Sequence, residues 1–214
     1  AASILHGTRP GERPTGRAGA PVAMTLQRPE YTGGIGLDGL VRLERFVREG
    51  GTVIALDGAA ELPVQHFPLP VRNLLRASEA GGASGFFCPG SILRITVDNA
   101  HPLGFGMPKE AFATSTGGQA WEVALLPEYN KGDREVRVVA RYASSKLLAS
   151  GWVSGEKAVL GKAALLEARH GKGRVVLFGF RPQFRGQSFG TFKLLLNAIY
   201  QASAGPASGA RASN

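Results

Sequence analysis

Apolar residues recur at helical spacing over Gly36 to Glu49 (GLDGLVRLERFVRE). Leu37, Leu40, Val41, Leu43, Phe46 and Val47 occupy that spacing and charged positions lie opposite. The pattern predicts an amphipathic helix, stopped by Gly50-Gly51. Thr52 to Leu56 (TVIAL) then reads as a strand buried on both faces of a parallel sheet, because the run is short and wholly apolar apart from Thr52. Helix, glycine pair and strand together give the rhythm of an α/β domain. Asp57-Gly58-Ala59-Ala60 turns the chain at the strand's carboxyl end, and a short helix is expected over about Ala59 to Phe67. Ser91 to Val97 (SILRITV) alternates and predicts a strand, followed by a turn over Asp98 to Pro102. Val136 to Tyr142 (VRVVARY) predicts another. Lys162 to Ala168 and Arg174 to Phe180 are expected to pair as a hairpin across His170-Gly171-Lys172-Gly173. Ser188 to Gln201 predicts a closing helix with Phe192, Leu195, Leu196 and Ile199 on one face. There is no internal repeat.

The flanks differ from this middle. Residues 1–30 are rich in Gly, Pro and Arg and read as a loop or arm, 76–85 as a Gly/Ala/Ser loop, and 202–214 as a low-complexity tail. That leaves 31–201 as the folded domain. The start, AASILHG, has neither Met nor a basic-then-apolar leader, and is expected to derive from a processed or longer product. At 214 residues and 43% apolar content the chain can bury a core. Gly and Pro make up about a fifth of it, which excludes a helical bundle. No stretch of eighteen apolar residues could cross a membrane as a helix. A single Cys excludes an internal disulfide framework and a cysteine-based zinc site.

The net charge is +9, and no acidic residue follows Glu167, whereas seven basic ones do. Such a segment suits an acidic protein face, an anionic lipid or nucleic acid, or simply a solvated surface. No phosphate-binding loop or nucleic-acid motif accompanies it, so nucleic acid is not an expected partner.

The candidate chemistry is sparse. Asp57 sits where ligand crevices form in open α/β sheets, at a strand's carboxyl end, and with Glu61 it would line a polar pocket; the alternative is a helix N-cap. Arg181 and Arg185, in RPQFRGQ just after a strand end, suit a carboxylate or phosphate. They suit equally a clasp that fastens the final helix through backbone carbonyls or Asp57. Gly33-Gly34-Ile35-Gly36 has the look of a phosphate cradle but lacks full dinucleotide or P-loop spacing, so a tight turn into the helix is expected. Cys88 lies among apolar neighbours in FFCPGS and reads as a small buried hydrophobe. His6, His66, His101 and His170 are scattered, and none is followed three residues later by Glu or Asp. No metal or cofactor is expected.

Four stretches in order carry a resemblance: PEYTGGIGLDGLVRLERFVREGGTVIALD (29–57), LPVRNLL (69–75), FFCPGSILRITVDNAHPLGFGMP (86–108) and GKGRVVLFGFRPQFRGQSFGTFKLLLNAIY (171–200). Together they resemble the C-terminal region of bacterial M14-type zinc carboxypeptidase-like proteins. That region is similar to the class I glutamine amidotransferase-like fold. The resemblance implies a flavodoxin-like, three-layer α/β sandwich with a mostly parallel sheet and a C-terminal β-hairpin plus helix. It also implies further strands and a peptidase domain upstream, and a secreted or periplasmic setting. An amidotransferase needs a Cys on a strained strand-to-helix elbow, but the elbow after TVIAL in this chain reads Asp57-Gly58-Ala59-Ala60. A zinc carboxypeptidase needs the missing His-x-x-Glu.

The expectation is therefore a non-catalytic amidotransferase-like domain with a structural or protein-interaction role in a larger, membrane-attached or free assembly. Its partners would contact the N-terminal arm, the C-terminal tail or an open sheet edge. The alternatives are an accessory substrate-binding part of a secreted zinc carboxypeptidase, and a module binding a small carbohydrate or anion at Asp57, Glu61, Arg181 and Arg185.

Overall fold

The computed structural model describes residues 2–7, 32–75, 85–123 and 130–204. Most of the N-terminal arm, of the 76–85 loop and of the C-terminal tail lies outside them. The described part is a mixed α/β fold. Helix α1 (Ala2–His6) precedes α2 (Gly36–Arg48), which leads through Gly50-Gly51 into strand β1 (Thr52–Leu56). A 3₁₀ turn over Asp57–Ala60 runs into α3 (Glu61–His66) and then β2 (Val71–Asn73). The strands β3 (Ser91–Val97), β4 (Glu110–Ser115), β5 (Trp121–Val123), β6 (Val136–Tyr142) and β7 (Leu148–Ser150) follow. The hairpin of β8 (Ala163–His170) and β9 (Gly173–Phe178) precedes the last helix, α4 (Phe192–Ser203).

The main path of the sheet runs β1-β9-β8-β6-β3-β4, with β2, β5 and β7 attached at its sides. Among the described strands only β1 and β9 pair in parallel, from Thr52 opposite Arg174 to Leu56 opposite Phe178. Every other described pairing is antiparallel. The expectation of a mostly parallel sheet is therefore corrected. The resemblance implied it and TVIAL agreed with it, but one apolar run next to a helix signals a βαβ unit locally and cannot say how many neighbours share its direction. Nor is β1 buried on both sides, since it is the outermost strand of the path and only Ala55 is fully buried.

The alternation along β1 sorts the core into two layers. Ile54 and Leu56 pack with α4 residues Leu194 and Ala198, together with Phe178 and Phe180. Val53 and Ala55 pack on the other face with Leu5, Leu40, Val47, Leu62 and Trp121. Helices thus cover both faces. The hydrophobic stripes differ from those expected. In α2, Leu40 and Val47 are buried while Leu37, Val41 and Phe46 stay exposed. In α4, Leu194 and Ala198 face the core, and Leu196 and Ile199 are half exposed. Both helices carry more apolar residues than one face holds, so spacing alone did not choose the buried stripe.

His101 lies at the edge of this core. The Leu103 amide donates to its Nδ1 at 3.2 Å, and its Nε2 lies 3.9 Å from Glu167. Burial pulls its pKa below the usual 6.5 despite Glu167 and Asp98, with Arg137 and Arg174 adding to the fall. The folded state then holds His101 neutral at pH values where the unfolded chain protonates it. Its contribution is complete above 6.5 and is lost as the pH falls below that value. The expected result is an acid-side loss of stability that starts near pH 6.5. That precedes the protonation of Glu122 and Glu135, which their arginine partners Arg72 and Arg137 pull below 4.5. Denaturation midpoints across this range should flatten in His101→Gln; an unchanged slope would assign the effect elsewhere.

Candidate functional site

The parallel register of β1 and β9 brings their carboxyl ends out side by side, so Asp57 and the segment Gly179-Phe180-Arg181 emerge together. The Arg181 amide donates to the Thr114 carbonyl at 3.0 Å, and the Gln119 amide to the Gly179 carbonyl at 2.7 Å. The loop after β4 is thereby tied to the same place. The side chains of three non-consecutive segments meet here.

Asp57 is the residue at the turn from strand to 3₁₀ helix, and its φ of +49° lies in the left-handed region. Asp tolerates that conformation better than most residues. The structure gives it no N-cap role; its neighbour Leu56 occupies the position before the turn. Instead Arg181 Nε donates to Asp57 Oδ2 at 2.9 Å, and Thr116 Oγ1 reaches the same oxygen at 3.4 Å. The Asp57 side chain is 12% exposed and that of Arg181 37%. Of the two readings of Arg181, the clasp to Asp57 is present, yet only Nε is used for it.

Glu61 is nearby but separately held. It accepts from Gln65 Nε2 at 2.6 Å and from Asn73 Nδ2, which also donates to Gln119 Oε1. Arg185 does not join the pair. Its guanidinium lies over one side of the Phe184 ring at 5.4 Å, while Arg181 lies over the same ring at 4.8 Å. Arg185 and Ser188 also adopt left-handed backbone, at φ +49° and +53°. Thr191 pins that loop by hydrogen bonding to the Pro182 and Ser188 carbonyls.

Two clefts open at these strand ends, of about 720 and 470 Å³, and Arg181 borders both. The larger also has Glu61, Asn73, Gln119 and the Gly117-Gly118 turn in its wall; the smaller has Asp57 and Phe184. Beneath the glycine turn lies Tyr142, whose hydroxyl sits 2.9 Å from the Gln119 carbonyl and 3.0 Å from that of Gly179. Complete burial, and secondarily the charge of Asp57, push its pKa far above the usual 10. It acts as a fixed hydrogen-bond donor.

Sequence reasoning missed Asn73, Thr116, Gln119 and the glycine turn. The signal was faint: EAFATS forms β4, but Ala111, Ala113 and Ser115 are its inward residues and too small to mark a hydrophobic period. Cys88 is buried, with its thiol 3.4 Å from the Ser115 carbonyl. Gly33 to Gly36 makes a turn against α1, with the Ile35 amide donating to Ile4 at 3.0 Å. Among the described residues, no three His, Cys, Asp or Glu side chains cluster closely enough to hold a metal ion. No helix among them is long and apolar enough to cross a membrane.

No protein-family profile matches the chain, and no curated protein matches it. Solved structures overlap it at low identity. A protein from Bacteroides uniformis described as ThuA-like is 14% identical over 77% of this chain and 63% of its own length, with a TM-score of 0.46. A Thermoplasma acidophilum protein described as part of a GMP synthase is 14% identical over 78% and 66%, with a TM-score of 0.46. A β-galactosidase from Bacillus circulans is 14% identical over 77% of this chain but only 21% of its own, with a TM-score of 0.46. The chain therefore spans about a fifth of that β-galactosidase and under two thirds of the other two proteins. None of these three is a zinc carboxypeptidase, and at this overlap they place the chain in no family.

Proposed function

We propose that the chain is a non-catalytic α/β binding domain, whose strand-end cleft recognises a small ligand without transforming it. The observation that carries this reading is the Asp57–Arg181 pair. A nucleophile position needs a group free to attack and a base to activate it. Here the side chain at the strand-end turn is a carboxylate committed to a guanidinium, and the one thiol, Cys88, is buried beside a carbonyl.

A second reading, that of an architectural component, draws on β1. Among the described residues its outer edge pairs with no strand, and TVIAL has neither a charge nor a proline to discourage another strand from adding. Leu196 and Ile199 of α4, the helix packed across β1, are half exposed. The accessory role beside a secreted zinc peptidase rests on the segment resemblance alone and ranks behind both.

Chain recovered from its source cells tests these readings together. The expected material releases neither ammonia from glutamine nor terminal residues from peptides. Turnover that Asp57→Ala abolishes would overturn the binding reading. A stoichiometric protein partner that protects the Thr52 to Leu56 amides from hydrogen exchange would favour the architectural one.

A further inference from the structure

We propose that the larger cleft seats an anionic group, carboxylate or phosphate, of a small organic molecule against Arg181, Gln119 and the Gly117-Gly118 turn. The inference rests on the binding-domain reading and adds the ligand's chemistry. It comes from matching donors to acceptors around the cleft. Each side-chain carboxylate or amide oxygen in its wall already takes one hydrogen. Glu61 Oε1 takes a hydrogen from Asn73 and Oε2 one from Gln65, Gln119 Oε1 takes the other Asn73 hydrogen, and Asn73 Oδ1 takes the Leu75 amide at 2.9 Å.

The donors are not engaged. Arg181 spends only Nε on a hydrogen bond, to Asp57, which leaves both terminal nitrogens of its fork without a hydrogen-bond partner among the described residues. Gln119 Nε2 and the Gly117 and Gly118 amides have none there either. Immediately under the turn, Ser115 Oγ is buried with no hydrogen-bond partner. It would lie 2.8 Å from a Cβ at Gly118.

A wall in which each side-chain carboxylate or amide oxygen already holds a hydrogen, while several donors hold no acceptor, favours a ligand rich in acceptors. An anionic oxygen pair satisfies a guanidinium edge and adjacent amides best, since charge-assisted bonds are about twice as strong as neutral ones. Asp57 holds the fork by its Nε edge and so presents the opposite edge, at the cost of offsetting the guanidinium charge. Glu61, whose donors are the neutral amides of Gln65 and Asn73, adds a negative charge to the same wall, so the anion is expected at the Arg181 and glycine-turn end, away from it. The two glycines have φ +100° and +51°. Successive amides in such a turn form an anion-binding concavity. At the rim Phe87 is exposed and meets Trp152 edge-on at 5.4 Å, so the rest of the ligand is expected to carry a flat apolar part. The volume, about 720 Å³, suits a molecule of that size.

Calorimetric titration at low salt with benzoate, phenyl phosphate and the neutral benzyl alcohol tests this on the whole chain. The expected result is binding of one or both anions and none of the alcohol; the two anions tell which head group fits. Gln119→Glu preserves the acceptor used by Asn73 but replaces a spare donor with a negative charge. It should weaken the anion about tenfold or more, and its thermal unfolding is measured alongside, because the new carboxylate shares the Asn73 donor with Glu61. Arg181→Gln should do the same, but its loss of the Asp57 clasp makes Gln119→Glu the deciding variant. Equal binding of the alcohol, an undiminished affinity in a folded Gln119→Glu, or no binding of either anion overturns the proposal. Release of phenol from phenyl phosphate would instead overturn the non-catalytic reading, so the two failures are distinguishable.

Discussion

Asp57→Ala is expected to lower the unfolding free energy by about 3 kcal/mol, and Asp57→Gly by about 1 kcal/mol less. Two losses combine in the alanine variant. The charge-assisted bond from Arg181 contributes roughly 1.5–2 kcal/mol, at the lower end because the guanidinium is more than a third exposed. Alanine at φ +49° adds about 1 kcal/mol that aspartate partly avoids and glycine wholly avoids. Asp57→Asn keeps tolerance of the left-handed backbone and gives up the charge, so it should lie near or above the glycine variant. Urea midpoints at constant slope measure the series. Equal values for alanine and glycine would mean that the turn relaxes and stores no strain. Equal values for wild type and asparagine would mean that the ion pair contributes nothing and that Arg181 is held by Phe184 and its backbone instead.

Gly179→Ala is expected to be more damaging, at about 3 kcal/mol or beyond, the upper end for overpacking. A Cβ there would lie 2.4 Å from the Gln119 carbonyl oxygen and 3.0 Å from that of Ala164. Neither is a side-chain tip that can swing aside. Both belong to a locked network: the Gln119 amide donates to Gly179, the Gly179 amide donates to Ala164 at 2.8 Å, and Tyr142 bridges the Gln119 and Gly179 carbonyls. Relief must come from backbone movement that displaces the loop carrying Thr116 to Gln119. The matched control is Gly190→Ala, where an added Cβ meets nothing within 4 Å, and which should stay within about 0.5 kcal/mol of wild type. If thermal unfolding of the two variants coincides, the close approach of β9 to the glycine loop is not what limits this position.

Much of the secondary structure was legible because its signals are local. The helix expected over Gly36 to Glu49 is α2, the strands expected over 91–97 and 136–142 are β3 and β6, and the hairpin around Gly171 joins β8 to β9. The elements that went unread are α1, which lies in the stretch expected as a loop or arm, and β2, β4, β5 and β7, three of these strands only three residues long. Strands that short exist because a neighbour offers hydrogen bonds, as Trp121 finds Ala163 and Val123 finds Val71. The stripe on α4 was misread for a related reason. Leu194 and Leu196 are equally apolar, and which one is buried depends on where β1 and the turn after β3 lie.

The site divides in the same way. Asp57, Glu61, Arg181 and Arg185 could be picked out from the sequence because they follow strand ends. Pairing Asp57 with Arg181 and leaving Arg185 on Phe184 depended on distance across 124 residues of chain. By itself the sequence determined the positions of α2, β1, β3, β6 and the final hairpin, the absence of Cys or Ser at the turn after β1, and the basic stretch after Glu167. Only the tertiary structure decided that the sheet is mainly antiparallel, that β1 is an edge, and that Asn73, Gln119 and the glycine turn share a cleft with Arg181. The physical reason is range. Propensity, periodicity and turn chemistry act over a few residues, whereas strand direction, the buried stripe and the convergence of side chains depend on contacts between segments far apart in sequence.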